Sequence, residues 1–243
     1  YGTEIVKCKY DHVDYMYSFN DGLAAVEKNE KWGFVDKTGK EIIKCTYDYV
    51  HLFSDGFAAI EKNGKYGFID KSGHEITKCK YESVYSFYNG YAAVQKGGKW
   101  GFINKYGTEV VKKVYDKVDI FNNDMAAVQR NGKWGFINKT CVETIECKFD
   151  EVYRFSEGVA AVKQNGNWYF IDKSGKVVLK CDYSVDGSFN NGLALIRKNG
   201  KVGLINKKGT EIIKCEYDSI NYTYRNVITA LKNNKCYLLT IEN

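Results

Sequence analysis

The stretch WGFVDKTGKE, residues 32–41, decides the fold because close copies of it return at a fixed spacing. Each copy begins 34 residues after the one before it, and the starts are Trp32, Tyr66, Trp100, Trp134, Trp168, Val202 and Cys236. The copies from Trp168 and Val202 are more divergent, and the last is only the fragment CYLLTIEN. A period this regular predicts a tandem-repeat architecture.

The two ends of the chain supply parts of one further repeat. The N-terminal GTEIVKCKYD matches the middle of a repeat, as in GKEIIKCTYD from Gly39. We therefore interpret residues 1–31 as completing the unit that starts at Cys236, and residues 1–243 as a single repeat domain. Because the chain begins at Tyr1 without Met, we expect that an upstream segment has been cut or omitted.

Glycine turns divide each repeat into four short strands. Asn63-Gly64 lies between two hydrophobic runs, which is the strongest short-range signal for a hairpin. Further turns lie at Asp55-Gly56 and Ser72-Gly73. The chain has 23 Gly and no Pro, so glycine supplies the tight turns. In the repeat from Trp32 the predicted strands are Trp32–Asp36, Glu41–Asp48, Val50–Phe53 and Phe57–Lys62.

The turns also predict the register of the strands. Two-residue loops place Phe68 opposite Ala59 and Thr77, and Tyr66 opposite Cys79. Alternation then assigns side chains to the two faces of the sheet. One face has Tyr66, Phe68, Ala59, Phe57, Cys79 and Tyr81, and the other has Gly67, Ile69, Ala58, Ile60 and Ile76. Both faces are apolar, which is typical of a propeller blade packed between two neighbours.

We therefore predict an all-β fold, a seven-bladed β-propeller of four-stranded 34-residue repeats, closed non-covalently by the N- and C-terminal strands. The alternative is an open β-solenoid, whose coils stack about 4.8 Å apart. Such stacking would bring one invariant lysine position into a ladder of like charges, which is repulsive. This position holds Lys37, Lys71, Lys105, Lys139, Lys173 and Lys207.

The recurring aromatic–glycine pair resembles the signature of the WG (KWG) repeat family of bacterial proteins, and the resemblance covers essentially the whole chain. The signature residues are Trp32, Gly33, Tyr66, Gly67, Trp100, Gly101, Trp134, Gly135 and the diverged Trp168. The resemblance implies binding or scaffolding units that often accompany other domains. It brings no catalytic residues, because none are attached to the family.

Charge and hydropathy exclude two classes of partner. The net charge is +6, but the lysines are spread evenly and interleaved with acidic residues. Nucleic-acid binding usually needs clustered Lys and Arg, so we expect none. We also expect no membrane span, since no apolar run approaches about 20 residues.

One repeat position holds cysteines that could be interpreted as a site for metal or redox chemistry. It holds Cys8, Cys45, Cys79, Cys147, Cys181 and Cys215. Metal sites usually use closely spaced Cys pairs, which are missing, so we interpret each Cys as a small apolar residue beside the aromatic ring that starts its repeat. Free thiols at this density lean towards the cytoplasm or an anaerobic environment, although the compartment stays unknown.

The remaining recurring polar residues are expected to have structural roles. The acid after the Tyr or Phe of each repeat, as in Asp48, is expected to cap the turn that follows. Asp36 alternates with Asn at the equivalent positions, which favours a turn contact over a needed charge. His12, His51 and His74 lie at unrelated repeat positions. We therefore predict no enzyme, no metal and no cofactor.

Tyrosines in the connecting segments are the candidate ligand contacts. They vary between repeats and are Tyr49, Tyr85, Tyr88, Tyr153 and Tyr222. Aromatic rings in variable loops suit a protein partner, or a glycan whose apolar faces stack on them. A lectin of this kind would bind once per repeat. The alternative for each tyrosine is packing on its own blade. The leading hypothesis is a non-catalytic protein-binding module, and the second is a carbohydrate-binding propeller.

Overall fold

A computed structural model describes residues 9–13, 19–222 and 227–240. The chain divides into two compact units, Tyr1–Phe121 and Asn122–Asn243. Throughout the described residues the regular elements are β-strands. The all-β class is therefore confirmed.

The strands of the first unit are short, and most sheets repeat the same lengths. They are β1 (His12–Val13), β2 (Leu23–Lys28), β3 (Lys31–Asp36), β4 (Glu41–Tyr47), β5 (Tyr49–Val50), β6 (Phe57–Lys62), β7 (Lys65–Asp70), β8 (Glu75–Tyr81), β9 (Ser83–Val84), β10 (Tyr91–Lys96), β11 (Lys99–Asn104), β12 (Glu109–Tyr115) and β13 (Lys117–Val118).

The second unit continues the same series. Its strands are β14 (Met125–Arg130), β15 (Lys133–Asn138), β16 (Glu143–Phe149), β17 (Glu151–Val152), β18 (Val159–Gln164), β19 (Asn167–Asp172), β20 (Val177–Cys181), β21 (Ser184–Val185), β22 (Leu193–Lys198), β23 (Lys201–Asn206), β24 (Glu211–Tyr217), β25 (Ser219–Tyr222), β26 (Val227–Lys232) and β27 (Lys235–Thr240).

Strands pair with their sequence neighbours. The first unit has the sheets β1-β2-β3-β4, β5-β6-β7-β8 and β9-β10-β11-β12. In the second unit β14, β15 and β16 pair in that order, followed by β17-β18-β19-β20, β21-β22-β23-β24 and β25-β26-β27. The pairings described are antiparallel. A solenoid would instead pair each strand with its counterpart in the next coil. The propeller-type organisation is therefore confirmed.

The predicted strand bounds are correct for Phe57–Lys62, differ by one residue at one end for Trp32–Asp36 and Glu41–Asp48, and are wrong for the remaining strand. The predicted Val50–Phe53 is the two-residue β5, which belongs to the sheet of β6 rather than to that of β3. The chain leaves the strand early because Phe53 turns into the core. Its ring lies 4.8 Å from the Phe34 ring, in edge-on contact with the preceding sheet.

The register is correct on one side of β7 and shifted on the other. Phe68 lies opposite Ala59, as predicted. It also lies opposite Thr77, but Tyr66 faces Tyr81 instead of Cys79, because a β-bulge intervenes between Tyr66 and Phe68. The same bulge recurs in the repeats from Trp32, Trp100, Trp134 and Val202.

Both faces of the sheet β5–β8 are buried, as predicted. Ala59, Phe68 and Tyr81 pack against the following sheet, in one cluster with Phe87 and Ile103. The opposite face, with Ala58, Ile60 and Ile69, packs against the preceding sheet. Because of the bulge, Cys79 lies with Ile60 and Ile69, and Ile76 lies on the Phe68 face. The predicted faces of these two residues are therefore wrong.

The Asn-Gly turns adopt the predicted left-handed conformation. Asn63 and Gly64 have φ values of 54° and 67°, which suit a two-residue hairpin turn. In the first and last turns of the series this position holds Asn29-Glu30 and Asn233-Asn234. Their φ values are also positive, so the hairpin tolerates a second residue other than glycine there.

In several repeats the acid that follows the Tyr or Phe ties two sheets together. Asp48 Oδ2 accepts a hydrogen bond of 2.6 Å from the Asn63 backbone N–H, and Oδ1 lies 2.5 Å from Lys31 Nζ in the preceding sheet. Asp150 and Asp218 repeat both contacts. The predicted backbone hydrogen bond is present, but it reaches the hairpin turn rather than the turn that follows directly. We call this arrangement the acid junction.

A second network lies at the opposite ends of the strands. Asp21 Oδ2 accepts a hydrogen bond from Gly56 N, and Asp55 Oδ2 accepts one from Gly90 N, both at 2.9 Å. The invariant lysine position contributes here, since Lys71 Nζ lies 3.7 Å from Asp21. Adjacent sheets in the unit are thus linked at both ends of their strands.

The predicted closing strand falls on residues 1–8, which lie outside the described part of the chain. The last sheet, β25-β26-β27, has three strands within the described residues. Ring closure therefore stays a prediction.

Candidate functional site

The glycine of the repeat signature has a structural role. Gly67 lies on the bulge, where a Cβ would be 2.6 Å from the Thr77 carbonyl oxygen. At Gly33 the corresponding distance to the Ile43 oxygen is 2.3 Å. The two strands approach so closely there that only glycine fits.

The aromatic partner of that glycine begins the site. Trp100 and Trp168 are buried, whereas Trp32, Tyr66 and Trp134 keep part of their rings exposed. These rings therefore combine packing with a surface that a loop side chain or a ligand can contact.

The candidate tyrosines differ in exposure. Tyr49, Tyr85 and Tyr88 are 48%, 42% and 44% exposed, and Tyr153 is half-buried. Tyr222 is the last residue of β25, and its side chain lies outside the described part of the structure. Three of the five candidates thus present substantial ring area to solvent.

Two of these tyrosines stack on the tryptophan of their own sheet. Tyr85 lies on Trp100 with ring centroids 4.9 Å apart, and Tyr153 lies on Trp168 at 5.6 Å. The alternative of packing on the same blade therefore describes both residues. Tyr85 nevertheless remains exposed, since the stack covers only one face of its ring.

A row of four rings crosses from one sheet to the next in the first unit. The ring centroids of Trp32 and Tyr49 are 6.0 Å apart. Those of Tyr49 and His51 are 5.4 Å apart, and those of His51 and Tyr66 are 6.1 Å apart. Together with the Tyr85–Trp100 stack, this row forms what we call the aromatic edge. It is placed there by β5 and β9, the short edge strands of two adjacent sheets.

A groove of about 530 Å³ runs beside the aromatic edge. Its lining includes Tyr49 and His51, together with the polar side chains of Asn20, Ser54 and Ser86. Rings and hydroxyl or amide groups thus line the same surface. That combination can hold a peptide or a sugar.

His51 belongs to the aromatic edge, although the sequence pattern did not predict a role for it. Burial lowers its pKa, while the nearby Glu61 carboxylate opposes that shift. Burial, with a hydrogen bond to Glu61, raises the pKa of Tyr66. His51 is therefore predominantly neutral at pH 7 and acts as an aromatic ring. Its position two residues after Tyr49 was the available signal.

The predicted place of the repeated cysteines, beside the aromatic ring that starts the repeat, is wrong for Cys79 and correct for Cys181, which lies opposite Trp168. Cys79 Sγ lies 3.8 Å from the Ile60 carbonyl oxygen, on the sheet face opposite Tyr66, because the bulge shifts the register. Burial raises the pKa of Cys79 and raises those of Cys181 and Cys215 to about 11. The thiols are therefore protonated at neutral pH.

Across residues 9–13, 19–222 and 227–240, no group of three or more His, Cys, Asp or Glu side chains is placed to hold a metal ion. Within the same ranges, no helix is long and apolar enough to cross a bilayer.

Consecutive four-stranded sheets joined by repeated turn contacts define a tandem-repeat protein of the propeller type. A family model described as "WG containing repeat" matches residues 2–32, 32–66, 66–100, 100–134, 134–168, 170–201 and 203–236. The chain therefore belongs to the WG-repeat family. A search of curated proteins finds no match.

One solved structure resembles the chain in fold, and a second aligns with it at a lower score. The crystal structure of a eukaryotic initiation factor has a TM-score of 0.53 and 12% identity, covering 91% of this chain and 70% of that one. Hsv2p of Kluyveromyces lactis has a TM-score of 0.45 and 12% identity, covering 89% and 88%. At these identities the likeness concerns the fold alone.

Proposed function

We propose that the protein is a non-catalytic interaction module that binds a protein partner through the aromatic edge of its first unit. The observation that carries this proposal is the exposure of Tyr49 and Tyr85 on a rigid platform of neighbouring rings. Aromatic residues are enriched at protein interfaces, because they bury a large area at a low cost in conformational entropy.

The absence of an enzymatic role is part of the proposal. The conserved polar side chains of the repeat are engaged in turns and junctions, as Asp36 and Asp48 are. Cysteines with raised pKa values are poor nucleophiles at neutral pH.

The test is capture of a partner by the immobilised protein, followed by affinity measurement with the purified partner. We expect Y49S/Y85S to weaken binding strongly while the protein stays folded. The matched control is Tyr106→Ser, because Tyr106 is 74% exposed in the β11–β12 turn and lies outside the aromatic edge. Equal binding by Y49S/Y85S and the wild type would contradict the proposed surface.

A second candidate function is glycan binding, favoured by the groove that joins rings to Asn20, Ser54 and Ser86. The equivalent of His51 is Tyr85 in the next repeat and Asp119 in the one after. One site per repeat is therefore not supported, and we expect a stoichiometry near one. A glycan array followed by calorimetry tests this candidate, and several equivalent sites would contradict it.

A further inference from the structure

The sheet β17–β20 departs from the other sheets at three positions. Gln164 replaces a residue that is Lys or Arg in the other repeats, as in Lys62. Tyr169 replaces the signature glycine, and Val177 replaces a residue that is otherwise Glu, as in Glu75. In the regular repeats both charges lie near the repeated cysteine, since they affect the pKa of Cys79.

The backbone of the same sheet also differs, although the 34-residue period is unbroken. β20 has five residues where β8 has seven, and Tyr169 pairs directly with Lys180 without the bulge. Cys181 therefore lies opposite Trp168, in the place that Tyr81 takes opposite Tyr66. Its thiol packs in the cluster of the following sheet, rather than on the face where the cysteine lies in the regular repeats.

A cavity of about 250 Å³ lies beside Tyr169, on the sheet face where the cysteine lies in the regular repeats. Phe149, Val162 and Ile171 form its buried apolar walls. Gln164, Tyr169 and Val177 also line it, and no other sheet has these three substitutions together. Val177 and the adjacent Val178 are 51% and 50% exposed, which extends an apolar surface outside the mouth.

Size and charge indicate what fits. Pockets for whole drug-sized ligands measure about 300–1,000 Å³, so this one suits a single ring. Both charges of the regular repeat are replaced, which favours an uncharged occupant. The Gln164 amide and the Tyr169 hydroxyl can bond a polar tip. Lys148, whose ammonium group lies over the Phe149 ring, can also contact a second ring by a cation–π interaction.

We propose that this cavity receives one uncharged aromatic side chain, tyrosine or tryptophan, from a protein partner. The exposed Val177 and Val178 favour a protein over a free small molecule, because a partner's backbone flanking the anchor side chain would cover them. The inference rests on the proposed interaction function and adds a second contact, in the second unit.

The first test is a methyl NMR titration of the full chain with N-acetyl-tyrosinamide. We expect saturable shifts of the Val162, Ile171 and Val177 methyl groups, and loss of those shifts in Q164K/V177E. That variant restores the charged pair of the regular repeats, so it should fold. The matched control is K62Q/E75V in the first unit, which should leave the shifts unchanged. Absence of saturable shifts, or their persistence in Q164K/V177E, overturns the inference.

Further outcomes separate the two proposals. Binding of phenol with exclusion of N-acetyl-tyrosinamide overturns the inference in favour of a small-molecule site. If a purified partner binds Q164K/V177E as tightly as the wild type, this inference fails and the interaction function stands. If N-acetyl-tyrosinamide binds the cavity but no protein partner is found, the cavity stands and the proposed function fails.

Discussion

Thr77 is a polar residue in an apolar position of β8, only 6% exposed. Its hydroxyl has no hydrogen-bond partner among the described residues. The equivalent residues, Ile43, Val111 and Ile145, are apolar. Thr77 thus places one unsatisfied hydroxyl in a core position that is apolar in the equivalent repeats.

We expect Thr77→Val to raise the free energy of unfolding by about 1 kcal/mol or more, because it removes an unsatisfied buried hydroxyl at nearly constant shape. Urea unfolding measures the change. Thr46→Val, at an exposed residue of β4, is the control and should bring no such gain. A wild-type-like midpoint for Thr77→Val would show that the hydroxyl finds a partner.

Thiol reactivity should separate Cys236 from the other described cysteines. Cys236 is exposed, whereas burial raises the pKa of Cys45, Cys79, Cys141 and Cys147, and most strongly those of Cys181 and Cys215. At pH 7.5, Cys236→Ser should remove a fast phase of reaction with an aromatic disulfide reagent. Cys141→Ser should leave the fast phase intact. A fast phase that survives Cys236→Ser would contradict this assignment.

Among the contacts between strands and turns, loss of a carboxylate from the acid junction should lower the melting temperature more than loss of a carboxylate from a turn. Asp48→Asn weakens contacts to both Lys31 and Asn63, so we expect a lower melting temperature. Asp36→Asn is the matched control. Asn104 Oδ1 accepts the same backbone bonds at its equivalent position as Asp36 Oδ1 does, so this change should be close to neutral. Equal melting temperatures for the two variants would contradict the junction.

The turns, and the lengths of the three longer strands to within one residue, could be predicted from the sequence because Asn63-Gly64 and its counterparts fix them locally. The bulge at Gly67 could not, since it depends on close contact with β8, which local pattern does not encode. The error in the face of Cys79 followed from that one residue. The candidate Tyr49 and Tyr85 were identified by their variability, whereas the cavity beside Tyr169 could not be found without the register of β20.

At the scale of the whole molecule, repeated carboxylates should make the protein sensitive to acid. Six carboxyl groups have pKa values lowered mainly by hydrogen bonds from lysines, hydroxyls or backbone N–H groups, and these are Asp36, Asp48, Glu82, Asp150, Asp172 and Asp218. Because the unfolded chain binds these protons at higher pH, their stabilisation is complete above the unfolded pKa values of about 3.9–4.3. It is lost as the pH falls through the lower folded values.

We therefore expect urea midpoints that change little between pH 6 and pH 5 on account of these groups and fall steeply below about pH 4. Asp36→Asn should reduce the steepness, because it removes one titrating group without removing its turn. A midpoint that stays constant down to pH 3 would contradict this account.

Ring closure makes its own prediction for the complete chain. Deleting Cys236–Asn243 removes most of β27 and exposes the edge of β26. If the predicted closure holds, the melting temperature should fall markedly, whereas an open array would only fray at its end. An unchanged melting temperature in calorimetry would therefore argue against closure.

The acid junction also bears on how such a gene can change in length. A repeat presents its Lys to the acid that follows it and its hairpin turn to the acid that precedes it. Unequal crossing-over that inserts or deletes a 34-residue segment would thus rejoin compatible neighbours. The stretch from Asn167 to Ser184 is an exception, since Asn167 replaces the Lys and Ser184 follows Tyr183 directly where an acid should stand. Duplication of the regular repeats preserves the acid junction, whereas duplication of this stretch would place a sheet without the Lys or the acid beside a new neighbour.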